Sequence, residues 1–308
     1  MTGAAGFIGS RVVDRLAADA GQVIRVTRAN LPRIENAAAN VIDVFGDVSD
    51  RATWDQLTDA DIVLHFAAHT SESCADGRAD EKFRANVMPM RHLLAACTRR
   101  RRPIVVFAGT VTEAGIATRL PVNEDQPDNP VTDYDRHKLI AENDLKAAAA
   151  QGMVCGVTLR LSNVYGPGAA GKGHDRDVLN RMIKAALGGE PLTVYGSGEY
   201  LRDYLFVEDV VDAFLTAADH AEKINGGHFI VGSGQGVTIR RAFELVAARV
   251  ETLTGRRVPV VTADPPAPLS DIQRRDFVAD PSRFSVATGW RPSWSLSDGI
   301  DRTIEAWA

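Results

Sequence analysis

Short apolar runs alternate with amphipathic stretches along the first half of the chain. The runs have the length of buried strands, and the stretches between them repeat their apolar positions with a helical period. We predict strands at 22–26, 61–66, 104–108 and 157–161, and helices at 10–19, 86–99 and 134–150. Strands that alternate with helices in this way predict an α/β fold, with a doubly wound parallel sheet between two layers of helices.

The second half of the chain is less regular. Glycines between 166 and 173 predict a loop, and helical patterns follow at 177–187 and 207–220. We therefore predict a division at residue 166. Residues 1–166 form the doubly wound domain, and residues 167–308 form mainly a smaller α+β region, of which some segments return to the sheet.

The composition excludes several classes of protein. The 308 residues are 45% hydrophobic and 24% charged, enough for a sizeable core, and the net charge is −5. No basic stretch is long enough for a nucleic-acid interface, and no apolar run reaches the roughly 18 residues of a membrane span. Three widely spaced cysteines, Cys74, Cys97 and Cys155, indicate neither a disulfide framework nor a metal site. We expect a cytoplasmic protein without nucleic-acid, membrane or metal partners.

The first residues form a glycine-rich turn in front of a helix. Gly3, Gly6 and Gly9 are spaced by three residues. Glycine lets the backbone approach a ligand closely, and the helix N-terminus presents N–H donors and a positive dipole to a phosphate. At the start of a strand–helix alternation, this turn predicts a Rossmann-type domain that binds a dinucleotide. We expect cofactor contacts from the three glycines and from Ala5, Phe7 and Ile8.

The strand that normally precedes such a turn has no residues of its own in this sequence. The turn begins at Gly3, directly after Met1 and Thr2. The absent strand would be the central one of the sheet, and its loss would be severely destabilising. We therefore expect that the native chain begins upstream or that its start site was assigned wrongly.

The end of the first predicted strand indicates which dinucleotide is bound. An acidic residue there would accept a hydrogen bond from the ribose 2′-hydroxyl and favour NAD. This chain has Thr27 and Arg28 instead. A threonine hydroxyl can bond a 2′-phosphate and a guanidinium can pair with it. The sequence therefore favours NADP(H), with NAD(H) as the alternative.

A tyrosine and a lysine lie four residues apart at the start of the helix predicted at 134–150. Tyr134 and Lys138 would face the same way on that helix. A free phenol ionises near pH ~10, and a nearby ammonium favours the phenolate. We therefore expect Lys138 to lower the pKa of Tyr134, which could then exchange a proton with a carbinol oxygen while hydride leaves or reaches its carbon.

Together these motifs resemble the extended short-chain dehydrogenase/reductase family, the NAD-dependent epimerases and dehydratases of nucleotide sugars. A TGxxGFIG turn precedes YxxxK by about 130 residues, and similar segments cover almost the whole chain. These segments are GDV at 46–48, LHFAA at 64–68, NV at 86–87, LRLSNVYGP at 159–167, RDYLFVEDV at 202–210 and TGWRP at 288–292.

The resemblance implies roles for the cofactor side of the site. Asp47 and Val48 would contact the adenine of the cofactor. Phe66, Ala67 and Ala68 would lie beside the cofactor at the end of a strand. Besides exchanging the proton, Tyr134 would contact the cofactor, and Lys138 would bind its ribose.

The resemblance also implies roles for the substrate side. Thr110, counted back from Gly115, would be the third catalytic residue and would hydrogen-bond the reacting oxygen, while Thr112 would touch the sugar. Ala114 replaces the tyrosine that is usual in this segment. The diphosphate of a nucleotide sugar would be held by Asn163, Arg202 and Arg274, with Arg275 as the alternative to Arg274.

Three reactions are weighed within this family. Sugar dehydratases carry an Asp-Glu pair directly after the catalytic threonine, but Val111 and Thr112 stand there and Glu113 follows one place too late. The resemblance is strongest to 4-ketoreductases of dTDP-4-keto-6-deoxyhexoses, and Thr27 and Arg28 suit the NADPH that a net reduction consumes. An NDP-hexose 4-epimerase with tightly bound NAD is the second hypothesis.

Two further expectations follow from the resemblance. A non-catalytic dinucleotide sensor is a third hypothesis for the function, which the presence of both Tyr134 and Lys138 disfavours. Relatives are usually homodimers that pair helices, so we expect a homodimer in which the helices at 86–99 and 134–150 take part.

Overall fold

The computed structural model describes residues 1–57, 59–70, 79–97, 102–168 and 177–308. Three features named above lie outside these ranges: Cys74, most of the loop predicted at 166–173 and the end of the helix predicted at 86–99.

The strands are β1 Gln22–Thr27, β2 Asn40–Phe45, β3 Ile62–His65, β4 Ile104–Thr110, β5 Cys155–Leu161, β6 Asn163–Tyr165, β7 Leu192–Tyr195, β8 Leu201–Phe206, β9 His228–Val231, β10 Gly236–Thr238 and β11 Val260–Ala263. The helices are α1 Phe7–Ala17, α2 Arg51–Trp54, α3 Ala79–Asn86, α4 Met88–Cys97, α5 Asp133–Ala150, α6 Val178–Gly188, α7 Val207–Asp219, α8 Ala221–Ile224, α9 Ile239–Thr254, α10 Asp271–Arg274, α11 Ser282–Thr288 and α12 Leu296–Trp307.

The main sheet is parallel throughout. Strand β1 pairs with β2, and β3, β4, β5 and β9 pair in that order. Between β1 and β3, Thr2 forms parallel bridges to Val26 and to His65. The order is therefore β2-β1-Thr2-β3-β4-β5-β9, which confirms the predicted doubly wound α/β fold.

Met1 and Thr2 occupy the position of the central strand. The amide of Val26 donates to the carbonyl of Met1 at 2.9 Å, and the amide of Thr2 donates to the carbonyl of Leu64 at 3.1 Å. Two residues thus connect the β1 side of the sheet to the β3 side, and they lead directly into the glycine turn.

Successive side chains of β4 pack alternately against the two layers of helices. Val106 and Ala108 belong to the core beneath α1 and α7, whereas Val105 and Phe107 belong to the core beneath α4 and α5. All four are buried. Because successive side chains of a strand point to opposite faces, a buried parallel strand is apolar at every position. The continuous apolar run at 104–108 is therefore explained.

A second core lies in the smaller region. Strand β8 pairs with β6 and β10, β7 pairs with β11, and α6, α9 and α12 pack over them. Strand β9, from the second half of the chain, pairs with β5 of the main sheet. Strand β9 thus extends the main sheet from the second half of the chain, and the division at residue 166 stays a prediction.

Two predicted helices differ from the structure. Helix α1 begins at Phe7, three residues before the predicted start. The helix predicted at 86–99 corresponds to α4, which begins at Met88, and Asn86 is instead the last residue of α3, which was not predicted. Pro89 explains the break between α3 and α4 because it has no N–H and its ring collides with the preceding turn of a helix.

No helix in the described part of the chain has both the length and the apolar character that crossing a membrane requires.

A buried ion cluster lies between β5 and α5. Arg160 is 1% exposed and donates to both carboxylate oxygens of Glu142, at 3.0 and 2.6 Å. It also donates to Asp128 at 2.6 Å, and its Nε lies 3.3 Å from Glu113. Such a cluster is costly to disrupt, because removing one partner leaves the others as buried, uncompensated charges.

We expect Arg160→Met to lower the free energy of unfolding by about 3–5 kcal/mol, since Glu113 and Glu142 would lose their shared cation. Denaturant unfolding measures this. Arg241→Met is the control, because Arg241 pairs with Glu244 on the exposed side of α9; its unfolding midpoint should stay at the wild-type value. Equal midpoints for the two variants would contradict this account of the cluster.

Candidate active site

The glycine turn runs against the end of β3. Gly3 has φ +66°, and a Cβ there would lie 2.8 Å from the amide nitrogen of Ala67. A Cβ on Gly9 would lie 2.1 Å from the carbonyl oxygen of Gly3. The amide of Gly6 donates to that same oxygen at 2.8 Å. Both glycines are therefore required by close backbone contacts, and the turn keeps its shape only without side chains.

Helix α1 begins directly after this turn. Gly6 is its N-cap, no side chain caps it, and its first turn has no acidic residue. Ala5 is exposed in the turn, and Phe7 and Ile8 are partly buried. Uncapped N–H groups next to a turn without side chains form a cradle for a pyrophosphate. Of the predicted cofactor residues after β3, Phe66 and Ala67 lie against Gly3 of this turn, and the binding of a dinucleotide there stays a prediction.

The predicted adenosine residues lie at the ends of β1 and β2. The hydroxyl of Thr27 donates to the carbonyl of Ala29 at 2.7 Å, so its hydrogen is used within its own loop. Arg28 is 80% exposed, and its Nη1 lies 3.6 Å from the Asp47 carboxylate. Burial would raise the pKa of Asp47, but the Ser49 amide and Arg28 hold it below its usual value. Val48 accepts a bond from the Trp54 indole at 2.8 Å.

The catalytic turn follows β4. Thr110 ends the strand and caps a short 3-10 helix, Val111–Ala114. The amide of Thr110 donates to the Glu113 carboxylate at 2.7 Å. Glu113 is buried beneath the turn, where its other oxygen faces Arg160. The carboxylate therefore supports the turn from below, in agreement with the argument against a dehydratase.

Helix α5 brings Tyr134 and Lys138 to this turn. Thr132 caps the helix, so Tyr134 stands in the first turn and Lys138 one turn later. The buried ammonium of Lys138 donates to the Ala108 carbonyl at 2.8 Å. It lies 5.8 Å from the centre of the Tyr134 ring and 4.5 Å from that of Phe107. The end of β4 and the start of α5 thus lie together on one side of the sheet.

A second contact joins the same two elements. The hydroxyl of Thr112 donates to the carboxylate of Asp135, the residue after Tyr134. Tyr134 directly precedes Asp135 in the sequence, and Thr110 lies two residues from both Ala108 and Thr112. Asp135 was not among the predicted site residues; its only sequence signal is its position between Tyr134 and Lys138.

The structure corrects the expected pKa of Tyr134. Burial, and then the charges of Glu113 and Asp135, raise the pKa of this phenol above its usual value. Burial also lowers the pKa of Lys138 to about 8, although Glu113 opposes this shift. The expectation that Lys138 lowers the pKa of Tyr134 is therefore wrong for the chain by itself, because desolvation and two carboxylates favour the neutral phenol.

His65 is a further buried group beside the site. Its Nδ1 lies 2.7 Å from the hydroxyl of Thr2, and its ring stacks on Phe107. Burial, followed by the charge of Lys138, lowers the pKa of His65 to about 3. A neutral imidazole therefore lies beneath the ammonium. In the sequence, His65 stands out only as part of the segment LHFAA at 64–68.

The residues predicted to bind the sugar diphosphate differ in their burial and in their hydrogen-bond partners. Arg202, on β8, donates to the carbonyls of Leu201 at 2.8 Å and Gln273 at 2.6 Å. Arg274 is exposed and donates to Leu269 at 2.7 Å. Arg275 is buried, and its Nη1 donates to the carbonyl of Gly115 at 3.4 Å. Arg275, the alternative residue, is thus the one that reaches the catalytic turn, and Asn163 begins β6 beside β8.

No group of three potential metal-binding side chains comes together within the described ranges.

Comparison with known proteins agrees with this geometry. The family model "NAD dependent epimerase/dehydratase family" matches residues 1–232. A UDP-glucose 4-epimerase of Azospirillum brasilense is 32% identical, over 100% of this chain and 90% of its own. A dTDP-4-dehydro-6-deoxyglucose reductase of Escherichia coli is 23% identical, over 99% of this chain and 96% of its own.

Solved structures agree as well. The UDP-glucose 4-epimerase of Thermotoga maritima, determined with UDP-glucose, has a TM-score of 0.86 and 28% identity, and the match covers 99% of this chain and 96% of that one. The UDP-glucose 4-epimerase of Brucella ovis, determined with NAD, has a TM-score of 0.83 and 28% identity, with 99% and 97% covered.

The fold and the site define an NAD(P)-dependent enzyme of the short-chain dehydrogenase/reductase type. Within that class, the chain belongs to the NAD-dependent epimerase/dehydratase family, whose members act on nucleotide sugars.

We expect Gly9→Ala to weaken binding of the NAD(P)(H) cofactor by on the order of tenfold or more, because its Cβ would displace the Gly3 carbonyl and deform the cradle. Fluorescence titration measures the dissociation constant. Gly188→Ala is the matched control, because a Cβ there meets nothing closer than 3.9 Å at the end of α6. Wild-type affinity in Gly9→Ala would show that the cofactor does not bind at this turn.

Proposed function

We propose that this enzyme reduces the C4 keto group of a nucleotide-diphosphate 4-keto-6-deoxyhexose and that it uses NADPH. The observation that carries the proposal is Arg28, a largely exposed guanidinium at the end of β1. A guanidinium has five N–H donors, so a contact between Nη1 and Asp47 leaves donors for a 2′-phosphate. Because an enzyme of net reduction consumes its cofactor, NADPH specificity agrees with the reductase.

The proposed reduction needs a proton donor at O4. A ketone oxygen that receives hydride at its carbon takes up a proton, and the neutral phenol of Tyr134 is a hydrogen-bond and proton donor.

Each residue of the proposed site has a separate task. The bound nicotinamide supplies the hydride, and the turn at Gly3–Gly9 holds the pyrophosphate. Tyr134 protonates O4, Thr110 hydrogen-bonds the same oxygen, and Lys138 orients Tyr134 and binds the cofactor ribose. Arg275, which donates to the carbonyl of Gly115, would bind the diphosphate of the sugar together with Arg202, which donates to the carbonyl of Arg275, and with Asn163 on the strand beside β8.

A 4-epimerase is the second candidate, and the relatives favour it. The epimerase of A. brasilense matches the whole of this chain. Such an enzyme would use the same residues but would return its hydride to the other face of C4. It would need Tyr134 first as a base, a state that burial opposes and the positive charge of an oxidised nicotinamide would assist. The expected homodimer, with α4 and α5 at the interface, stays a prediction.

Incubation with dTDP-4-keto-6-deoxyglucose and NADPH separates the two candidates. We expect one NADPH to be oxidised for each sugar reduced. Absorbance at 340 nm measures the loss of NADPH, and chromatography of the sugar nucleotides measures the reduced sugar. In Tyr134→Phe, kcat should fall by about 10²–10⁴-fold because the proton donor is lost, while NADPH still binds. Interconversion of UDP-glucose and UDP-galactose without net NADPH loss would instead establish the epimerase.

We expect Arg28→Ala to raise KM for NADPH by about ten- to a hundredfold and to leave KM for NADH almost unchanged, because only NADPH carries the 2′-phosphate. Initial rates at varied cofactor concentration measure this. Arg51→Ala is the control, since Arg51 is exposed on α2 and lies 3.9 Å from Asp55. A parallel loss for both cofactors would contradict the role of Arg28.

A further inference from the structure

The loop between β1 and β2 carries Arg28 at its first position. This loop spans residues 28–39, and its residues 30–34 form neither helix, strand nor turn. Loops without regular structure are more mobile than the elements that they connect. Because the side chain of Arg28 is 80% exposed, the place of its guanidinium depends on how the backbone of this loop is held.

A buried arginine of β1 holds this loop. Arg25 is 6% exposed, and its Nε and Nη2 donate to the two carboxylate oxygens of Asp43, its partner on β2, at 2.7 and 2.8 Å. The remaining nitrogen, Nη1, donates to the carbonyl of Pro32 at 3.2 Å. A bidentate pair with a carboxylate fixes the plane of the guanidinium, so this third donor has a set direction toward the loop.

The segment from the end of β1 to Pro32 is thereby held at both of its ends. At the first end, the hydroxyl of Thr27 accepts from the amide of Ala29 at 3.2 Å and donates to the carbonyl of the same residue at 2.7 Å. At the second end, the carbonyl of Pro32 accepts the bond from the buried guanidinium. Arg28 lies between these two contacts in the sequence.

We propose that Arg25 is a positioning residue that, through Pro32, holds the loop so that Arg28 faces the 2′-phosphate of NADPH, and that it thereby sets the preference for NADPH over NADH. This inference rests on the proposed function, which assigns the 2′-phosphate to Arg28. A guanidinium that is already in place loses less conformational freedom on binding, so a held loop strengthens the contact with the phosphate.

Arg25 acts on the cofactor through the loop and not by direct contact. Each of its three nitrogens donates to Asp43 or to Pro32, and the side chain is buried. Because the carboxylate of Asp43 balances its charge, the pair as a whole has little attraction for a distant phosphate. Removal of the whole pair would therefore change the loop and hardly change the electrostatic field at the 2′ position.

Two variants remove the contact with Pro32 and should still fold. Arg25→Met combined with Asp43→Leu replaces the ion pair by apolar side chains and leaves no unpaired buried charge. Arg25→Lys keeps a cation beside Asp43, but an ammonium cannot reproduce the planar fork that reaches two partners in different directions. Denaturant unfolding verifies that both variants are folded under the conditions of the binding measurements.

The test measures the binding of NADPH and of NADH to the chain by fluorescence titration. We expect the cofactor ratio, the dissociation constant of NADH divided by that of NADPH, to fall by about three- to tenfold in both variants, because the contact with the 2′-phosphate is weakened. The affinity for NADH, which lacks this phosphate, should stay near the wild-type value. A residue that served only the stability of the fold would weaken the binding of both cofactors alike.

Two controls separate the loop from other effects. In an Arg28→Ala background, the combined replacement of Arg25 and Asp43 should leave the cofactor ratio unchanged, because the residue that the pair positions is already absent. Arg249→Met combined with Asp301→Leu removes a similar bidentate pair between α9 and α12, in which both bonds are 2.6 Å long. This second pair lies in the smaller region, and its removal should keep the wild-type ratio.

The outcomes distinguish this inference from the proposed function. If Arg28→Ala lowers the cofactor ratio while both Arg25 variants keep it, the inference is overturned and the proposed use of NADPH stands. An equal fall without the Arg249 pair, or a fall that persists in the Arg28→Ala background, would also overturn the inference. If the wild-type chain does not prefer NADPH and Arg28→Ala changes nothing, the proposed NADPH specificity fails and the inference fails with it.

Discussion

The hydrogen bond from the buried ammonium of Lys138 to the carbonyl of Ala108 is the contact on which the site depends. It ties the first turns of α5 to the end of β4, over the face of Phe107. Burial of an ammonium is unfavourable unless it is hydrogen-bonded, and this carbonyl provides the acceptor. Because Tyr134 lies one turn before Lys138 and Thr110 two residues after Ala108, one contact places the phenol and the hydroxyl on the same side of the sheet.

A cluster of charged side chains lies beneath the catalytic turn. Glu113 supports the catalytic turn by accepting the amide of Thr110, and Arg160 holds both Glu113 and Glu142 under it. Carboxylates so close to a buried phenol disfavour the phenolate. Burial, followed by the charges of Glu113 and Asp135, raises the pKa of Tyr134, so the chain on its own keeps this phenol neutral.

Local periodicity was sufficient to predict four strands of the main sheet, because buried parallel strands are apolar at every position. It did not reveal β2, whose residues are only partly buried or exposed. Helix α3 was not predicted, and the break between α3 and α4 has its sequence signal in Pro89. The glycine turn and the Tyr134–Lys138 pair were predicted because each depends on spacing within one element.

The residues that sequence analysis missed depend on contacts between distant segments. Asp135 accepts a hydrogen bond from Thr112 only because α5 meets the turn after β4, 23 residues away. The orientation of Arg275 toward Gly115, and of Arg274 toward Leu269, depends on how the segment after α10 packs. The pKa of Tyr134 depends on burial and on Glu113, neither of which spacing along a helix reveals.

The most direct test of the account is a crystal structure of the chain with NADP+ and a dTDP-6-deoxyhexose. The account predicts the pyrophosphate at the N-terminus of α1, the 2′-phosphate at Arg28, and O4 of the sugar about 3 Å from both the Tyr134 hydroxyl and the Thr110 hydroxyl. A sugar whose O4 lies away from both hydroxyl groups, or a cofactor bound elsewhere than the glycine turn, would contradict it.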